Sequence, residues 1–483
     1  AIPRHLILSI LMLLSIFDFS SSFIISIIIQ FNGPQLQLFL LPVSLPFFTH
    51  GVESNNLTIS AHAGHFTTPD TVPWTTTALI LSSIFSALIQ TYCIDKWGRK
   101  FGIYIVILLQ GASCIPLLLE PSEIGSIVLH VLSGISTAGL FICIPIYIRE
   151  ISATTGRGTA VALITVMTAA GYLIRFGLDG ENVLYLIAAM VMVQFVSLFL
   201  VVESPSYLVK IGKIEAAIAN MAKLKCLPVD DTYILNEIKL LQEESVRGKS
   251  NEKLRLLDIC KYSFFYTYFF RQWTNRIWRD EMKIGLMLYT ITILSGCIIF
   301  LDQEKTLIQL KTSADPERIL VPICLFAGTL FCVVSVRLFE RKYLLTFAYS
   351  VMVLSMGTLG VFTPADLTVT SLRWLPVAAL GVLVFGYGLA WGLPTIIMVE
   401  MLNLQIRSTV LGIVYTYSQI IRLVHVLTFE YLESNIGIYT LFYMFACVNI
   451  FGAIYTISSV PNIKGKSVRQ IEKQMKRIPL LNL

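Results

Sequence analysis

Long apolar runs separated by short polar turns dominate this chain. Each run has roughly the 20 residues that a helix needs to cross a bilayer core about 30 Å thick. The runs cover residues 6–29, 75–94, 101–119, 124–148, 159–178, 183–202, 282–301, 319–338, 343–361, 375–399, 408–429 and 438–460. They are apolar all round, whereas the strands of a membrane barrel alternate in polarity. The pattern predicts an all-α membrane protein with twelve transmembrane helices.

The longest polar interruption divides the predicted helices six plus six. It contains two segments, 213–224 and 233–244, whose apolar residues recur at helical spacing. The predicted organisation is an N-terminal half over residues 1–205, a cytoplasmic helical linker over 206–281, a C-terminal half over 282–460 and a basic tail over 461–483. A long outer loop is expected at residues 30–74. Two six-helix halves are the organisation of facilitator-type transporters, which hold their solute between the halves.

Loop charges orient the chain. Basic residues collect in alternate loops and in the tail, and such loops stay on the cytoplasmic side. Both termini are therefore expected in the cytoplasm, in a multi-pass protein of the plasma membrane. With 55% hydrophobic and 14% charged residues the chain is too apolar for a soluble globule, and its net charge of +6 requires no nucleic-acid partner.

Catalytic and metal-binding motifs are missing from the sequence. It shows no nucleophile motif and no metal-ligand spacing, so we expect neither an enzyme nor a cofactor. None of the nine cysteines falls in an outer loop, which makes disulfides unexpected. The triplet Asn56-Leu57-Thr58 in the outer loop is a candidate glycosylation site.

Charged residues repeat at equivalent inner ends of the two halves. The spacing Glu150-(x6)-Arg157 recurs as Glu400-(x6)-Arg407, and Asp95-Lys-Trp-Gly-Arg99-Lys has a degraded counterpart at 337–342. Such charges can form ion pairs that lock the halves together and separate when the site opens inward. The alternative is that they only fix topology. The predicted cytoplasmic gate comprises Asp95, Arg99, Glu150, Arg157, Glu203, Glu400 and Arg407.

Five motifs in the right order resemble the sugar porter family of the major facilitator superfamily, most closely its insect facilitated trehalose transporter-like branch. They are Asp95 to Lys100, Pro145 to Gly158, Glu203-Ser204-Pro205-Ser206, Thr428-Phe429 and Pro461 to Ser467. The resemblance covers nearly the whole chain and implies a monomeric transporter of a sugar or polyol. Some gate positions depart from the family pattern, Thr91 standing for a glycine, and the weakened lock should favour an inward-open state.

The family's solute-binding amides and tryptophan are largely replaced. A hexose site needs many polar partners, because each buried hydroxyl left unpaired costs about 1–3 kcal/mol. Hydroxyl and aromatic residues at or near these positions are the substrate-binding candidates, although hydroxyls in membrane helices often bond their own backbone. The candidates are Thr165, Thr168, Tyr172, Thr292, Ser295, Trp391, Thr395, Ser418 and Gln419.

Asp18, Arg422 and His425 are ionisable residues within predicted spans, where charge is expensive and calls for a functional explanation. We expect Asp18 to meet Arg422 and His425 at a similar depth in the bundle. One interpretation is a structural ion pair that narrows the cavity. The other is a carboxylate that exchanges a proton during transport, with His425 titrating near neutral pH.

The sequence therefore predicts a facilitative transporter that moves a sugar, trehalose or a hexose-like solute, across the plasma membrane by alternating access. Its partners would be the small-molecule solute and the lipid bilayer. Two alternatives remain open: a transporter of a non-sugar organic solute, and a transport-incompetent relative that senses ligand or binds partners.

Overall fold

The computed structural model describes residues 34–53, 72–119, 123–153, 156–176, 178, 180–250, 276–297, 315–362 and 374–475. All regular elements in these ranges are helical. The N-terminal half contains α1 (Pro34–Glu53), α2 (Val72–Trp97), α3 (Arg99–Leu119), α4 (Glu123–Ile151), α5 (Arg157–Phe176) and α6 (Gly180–Ser197), followed by a short 3-10 helix, Leu198–Leu200. Next come α7 (Pro205–Lys210), α8 (Ile214–Lys225) and α9 (Thr232–Ser250). The C-terminal half contains α10 (Arg276–Leu294), α11 (Asp315–Leu338), α12 (Arg341–Phe362), α13 (Trp374–Trp391), α14 (Leu393–Met401), α15 (Arg407–Ile436) and α16 (Ile438–Ser459), and α17 (Val468–Met475) follows it.

Helix α1 corrects the sequence analysis, which expected an outer loop over residues 30–74. Residues 34–53 form a helix that packs against α5 and α6, with Leu40, Phe47 and Val52 fully buried. Gly51 lets the two backbones touch, because a Cβ there would overlap the carbonyl of Thr168. Two internal prolines made the segment look like a loop. The predicted span 6–29 lies outside the described residues.

The two halves have matching packing. In the first half α4 packs against α2 and α3, and in the second α13 packs against α11 and α12. The halves meet through α2 against α15 and through α5 against α11, which are equivalent pairs under the internal repeat. This arrangement leaves α1, α4, α5, α10, α13 and α15 around the middle of the bundle.

The outer surface of the bundle is apolar. Large side chains such as Phe85, Leu354 and Ile454 are more than half exposed there, which suits a hydrocarbon solvent. Within the described ranges, nine stretches are long and apolar enough to cross a membrane. Helices α3 and α10 belong to the same bundle by their packing, although charged residues occupy their first turns.

Helices α7, α8 and α9 pack together at one end of the bundle, here called the linker side. Leu208, Ala217, Met221 and Ile234 form part of a small apolar core between them. Ser204 begins α7 by accepting the backbone N–H of Tyr207 on its side chain, and Pro205 follows at the first position, as is common at helix starts. Helices α8 and α9 cover the two segments that the sequence predicted to be helical.

Candidate functional site

A cavity of about 180 Å³ lies between the two halves of the bundle. Its wall is formed by side chains of α1, α4 and α5 on one side and of α10, α11, α13, α14 and α15 on the other. Eight of the nine candidate substrate residues line it: Thr165, Thr168, Tyr172, Thr292, Trp391, Thr395, Ser418 and Gln419. These eight candidates thus converge on one space.

Ser295 is the exception and is withdrawn from the candidate site. Its side chain is fully buried and its hydroxyl donates to the carbonyl oxygen of Thr292 at 2.7 Å. Its own carbonyl accepts from Asn449 at 3.3 Å. Ser295 follows Leu294, the last residue of α10, and does not line the cavity.

Most cavity hydroxyls donate to their own helix. Thr165 donates to the carbonyl of Ala162 at 2.8 Å, Thr168 to that of Ile164 at 3.0 Å, and Ser418 to that of Tyr415 at 2.6 Å. Because a hydroxyl has one proton and two lone pairs, these oxygens can still accept from a ligand. Other side chains of the wall can supply donors, among them the Trp391 indole, the Gln419 amide and the Arg422 guanidinium.

Several wall residues were not predicted. His50 contacts Thr137, with its Nδ1 3.3 Å from the threonine hydroxyl, and Tyr289 shares a hydrogen bond of 2.8 Å with Thr395. His50 was missed because α1 was read as a loop. Tyr289 lies one helical turn before a predicted residue of α10, and only the tilt of that helix shows that both face the cavity.

Aromatic side chains close the wall on two sides. Phe141 of α4 and Tyr415 of α15 stack across the boundary between the halves, with ring centroids 6.1 Å apart and planes 16° from parallel. Tyr387 and Trp391 stack in the second half at 6.2 Å. Aromatic faces of this kind can pack against the C–H face of a sugar ring, as the sequence analysis expected of Trp391.

The predicted gate residues form equivalent ion pairs in the two halves. Arg99 donates to both carboxylate oxygens of Glu150 at 3.2 and 3.4 Å, and both side chains are fully buried. At the matching position of the second half, Arg341 donates to Glu400 at 2.9 Å. Arg341 was not among the gate residues predicted from sequence, although the 337–342 repeat contains it.

Two further contacts cross between the halves. Arg407 of α15 donates to Glu150 of α4 at 3.0 Å, again fully buried. Ser408 donates to Asp95 of α2 at 2.6 Å, and Lys210 pairs with the other oxygen of Asp95 at 3.0 Å. The linker side is therefore closed. That the departures from the family pattern favour an inward-open state stays a prediction.

Glu203 has a different role from the ion pair predicted for it. Its Oε1 accepts the backbone N–H groups of Arg99, Lys100 and Ser204 at 3.0, 3.3 and 3.0 Å, so it caps the start of α3. The preceding Gly98 has φ +107°, and a Cβ there would overlap the Glu203 carboxylate. Burial raises the pKa of the Glu203 carboxyl, and the three backbone donors act in the opposite direction.

The linker helix α9 also reaches the gate. Its Glu244 accepts the backbone N–H of Leu404 at 2.9 Å and lies 3.7 Å from Arg407, while Gln405 donates to the Ser245 hydroxyl at 3.1 Å. Arg157 donates to the carbonyl of Ser152 at 3.3 Å and lies in the field of several acids, Glu244 and Glu400 among them.

Asp18, the acidic residue predicted to meet Arg422 and His425, lies outside the described residues, and so does Asn56. Arg422 lines the cavity. His425 is buried instead, with its ring edge-on to Phe445 at 5.6 Å.

Two helical halves that pack in matching ways around a shared cavity are the arrangement of facilitator-type membrane transporters. Among solved structures, the major facilitator superfamily proton:xylose symporter XylE bound to 6-bromo-6-deoxy-D-glucose superposes with a TM-score of 0.72 at 18% identity, covering 92% of this chain and 99% of XylE. At that identity the likeness concerns the fold.

The family follows from the sequence comparisons. The family described as "Sugar (and other) transporter" matches residues 48–475. The facilitated trehalose transporter Tret1 of Apis mellifera ligustica is 25% identical over 420 residues, 84% of this chain and 80% of the relative. Tret1 of Anopheles gambiae is 26% identical over 356 residues, 71% of this chain but 43% of the longer relative. This chain belongs to the sugar (and other) transporter family and is a membrane transporter, not an enzyme.

Proposed function

We propose that this protein moves a sugar, trehalose or a hexose-like solute, across the plasma membrane by facilitative alternating access. The observation that carries the proposal is the cavity between the halves, where eight of the nine candidate substrate residues converge. The Tret1 relatives and the sugar-bound XylE agree with this class of solute. The solute would bind with its hydroxyls donating to threonine and serine oxygens and with Trp391 against its apolar face.

Alternating access requires the contacts that close the linker side to break and form again. Arg407 and Glu150 belong to different halves, so their ion pair must break when the linker side opens. Arg99–Glu150 and Arg341–Glu400 lie within one half each and can persist. Rocking of the two halves would then exchange access to the cavity between the two sides of the membrane.

The proposed topology has twelve spans, with α1 in place of residues 6–29 as the first and the broken pair α13–α14 as the tenth. The halves would be joined by a cytoplasmic linker within residues 206–281. Lys96, Lys100 and Lys342 lie on the linker side, which supports a cytoplasmic location for it. Both termini would share that side, the protein would act as a monomer in lipid, and Asn56 would be glycosylated outside.

Uptake of labelled trehalose and glucose into expressing cells tests this function, with surface delivery measured in parallel. Wild-type protein should give saturable uptake. Gln419→Leu removes a cavity donor and should raise KM about tenfold, because a lost hydrogen bond to a buried hydroxyl costs about 1–3 kcal/mol. Gln242→Leu, the same change on α9 outside the cavity, should leave KM unchanged. Delivered protein that binds either sugar saturably without uptake would instead identify a sensor.

A further inference from the structure

Two exposed apolar stripes meet at the turn between α2 and α3. On α2 the exposed residues Phe85, Ile89 and Tyr92 recur at helical spacing and share one face. On α3 Leu108 and Ile115 are more than half exposed and lie two turns apart. Both helices pack against α4, so the stripes face away from the bundle. They belong to the apolar outer surface that suits a hydrocarbon solvent.

Each stripe reaches a lysine at this turn. Lys96 lies one helical turn beyond Tyr92 on α2, and its Nζ is 5.5 Å from the centroid of the Tyr92 ring. Lys100 lies one helical turn before Tyr104 on α3, and its Nζ is 5.7 Å from the centroid of that ring. Contacts of this kind hold an ammonium by cation–π attraction. The two lysines therefore stand at the linker-side end of a surface that otherwise faces lipid.

Two exposed aromatic rings lie at the turn itself. Trp97 ends α2 and Phe101 lies in the first turn of α3, and their rings meet edge-on with centroids 4.9 Å apart. The Nζ of Lys96 is also 5.7 Å from the centroid of the Trp97 ring. Exposed tryptophan and tyrosine side chains favour the headgroup level of a bilayer. The turn thus has the composition of the boundary between hydrocarbon and headgroups.

Neither ammonium forms an ion pair in the part of the chain that the structure describes, although acids lie close to both lysines in the fold. Asp95, next to Lys96 in the sequence, pairs with Lys210 at 3.0 Å. Glu203 accepts backbone N–H groups at the start of α3, that of Lys100 among them. The positive charge of the two lysines is therefore available to an anion from outside the chain.

This arrangement suits the headgroup of an anionic phospholipid. An ammonium has three donors, and phosphate oxygens are strong acceptors. A zwitterionic headgroup carries its own cation, which offsets the attraction, whereas an anionic headgroup keeps a net negative charge. A free phosphate gains nothing from the exposed stripes, but the acyl chains of a lipid lie along them. Lysines that only fix topology need no aromatic partners on a lipid-facing stripe.

We propose that the α2–α3 turn binds an anionic phospholipid of the linker-side leaflet, with Lys96 and Lys100 on its headgroup and the two stripes against its acyl chains. Under the proposed topology this is the cytoplasmic leaflet, in which anionic lipids are concentrated. The site is separate from the cavity between the halves, so its existence does not depend on which solute is transported.

Photo-cross-linking of the wild-type protein in liposomes provides the first test. Matched phosphatidylserine and phosphatidylcholine probes carry a diazirine at the same position near the glycerol. Mass spectrometry compares the labelling of Trp97 and Phe101 with that of Ile124 and Ile127, which are exposed on α4 far from the turn. We expect the serine-to-choline labelling ratio at the turn to exceed that on α4 about tenfold or more, because each lysine near an anionic headgroup favours binding about fivefold.

Two results on wild-type protein would overturn the proposal. One is an equal labelling ratio at the turn and on α4. The other concerns soluble glycerophosphoserine, which has the headgroup but no acyl chains and should leave the labelling of the turn unchanged. If it suppressed that labelling, the turn would be a site for free anions and not for a lipid.

Variants then assign the selectivity to the two lysines. The double variant Lys96→Gln, Lys100→Gln should bring the labelling ratio at the turn to within about twofold of the ratio on α4. The double variant Lys223→Gln, Lys225→Gln is the matched control and should keep the wild-type ratio, because it also changes one exposed and one partly buried lysine, on α8 outside the stripes. A wild-type ratio in the folded Lys96, Lys100 variant would contradict the proposal. If that variant does not fold, the two measurements on wild-type protein decide.

Discussion

Glu150 is the residue on which the closed state depends most. Its carboxylate accepts from Arg99, Arg407 and the Ser204 hydroxyl, and all these groups are buried. Two guanidinium groups thus share one anion. A buried ion pair adds little net stability by itself, but removing one partner leaves the other charge uncompensated.

Substituting Glu150→Gln should therefore lower stability strongly. We expect a loss of about 3–5 kcal/mol from the free energy of unfolding, because two buried arginines lose the carboxylate that lies closest to both of them. Glu215→Gln on the exposed face of α8 is the matched control and should stay within about 0.5 kcal/mol of wild type. Thermal and denaturant unfolding of the purified proteins in the same detergent measures both. Equal stability of the two variants would show that Glu150 does not hold the network together.

At the scale of elements, the contact of α2 with α15 decides how tightly the halves meet on the linker side. Thr91, which stands at a family glycine position, packs directly against Gly412. A Cβ at Gly412 would overlap the hydroxyl of Thr91 and lie 3.1 Å from both its Cβ and its Cγ2, so the Thr91 side chain or the helices would have to shift. The small residue at this contact is thus on α15, at Gly412, whereas the family pattern has it on α2, at the position of Thr91.

Gly412→Ala should accordingly push α2 and α15 apart and slow transport. Thr91→Gly in the same chain should restore uptake, because it returns the space on the opposite helix. Gly357→Ala serves as the control, since a Cβ there meets nothing within 4 Å. Initial uptake rates, normalised to surface protein, compare the four chains. A double variant no better than Gly412→Ala alone would mean that this contact does not limit transport.

The same scale shows what sequence reasoning recovered and what it missed. Charged gate residues were found because they repeat at helix ends, where polarity contrasts with the apolar spans. Helix α1 was missed because Pro42, Pro46 and buried polar residues such as Ser44 and Thr49 lower its apolar character. Neighbouring helices form hydrogen bonds with the polar groups of α1, as they do in membrane bundles where a proline leaves backbone groups unpaired. Because α1 was not predicted, His50 could not be assigned to the cavity. Which tyrosines face the cavity depends on the helix tilts, and the sequence does not give these.

At the scale of the whole molecule, the equivalent packing of the halves indicates rocking about the cavity. The linker-side contacts Arg407–Glu150 and Ser408–Asp95 cross between the halves, and α9 braces the turn before α15 through Glu244. When the linker side opens, the contacts Arg407–Glu150 and Ser408–Asp95 must both break. Packed interfaces of this kind switch between discrete arrangements and do not deform gradually.

Spin labels at Lys96 and Tyr343, which are exposed in different halves on the linker side, can report this motion. In otherwise wild-type protein we expect a dominant short distance from the closed state. Adding Glu150→Gln should shift the population toward a longer distance, because it removes the anion shared across the halves. The control Glu215→Gln should leave the distribution unchanged. An identical distribution in all three proteins would argue against this ion pair as the gate.

Counterflow by purified protein in liposomes tests the central claim, sugar transport by alternating access, most directly. Vesicles are loaded with unlabelled trehalose or glucose in separate samples, and diluted into a trace of the same labelled sugar. A facilitative transporter that works by alternating access should transiently accumulate the labelled sugar above its equilibrium level for at least one of the tested sugars. Label that enters every sample no faster than in protein-free vesicles, from folded and correctly inserted protein, would contradict the account.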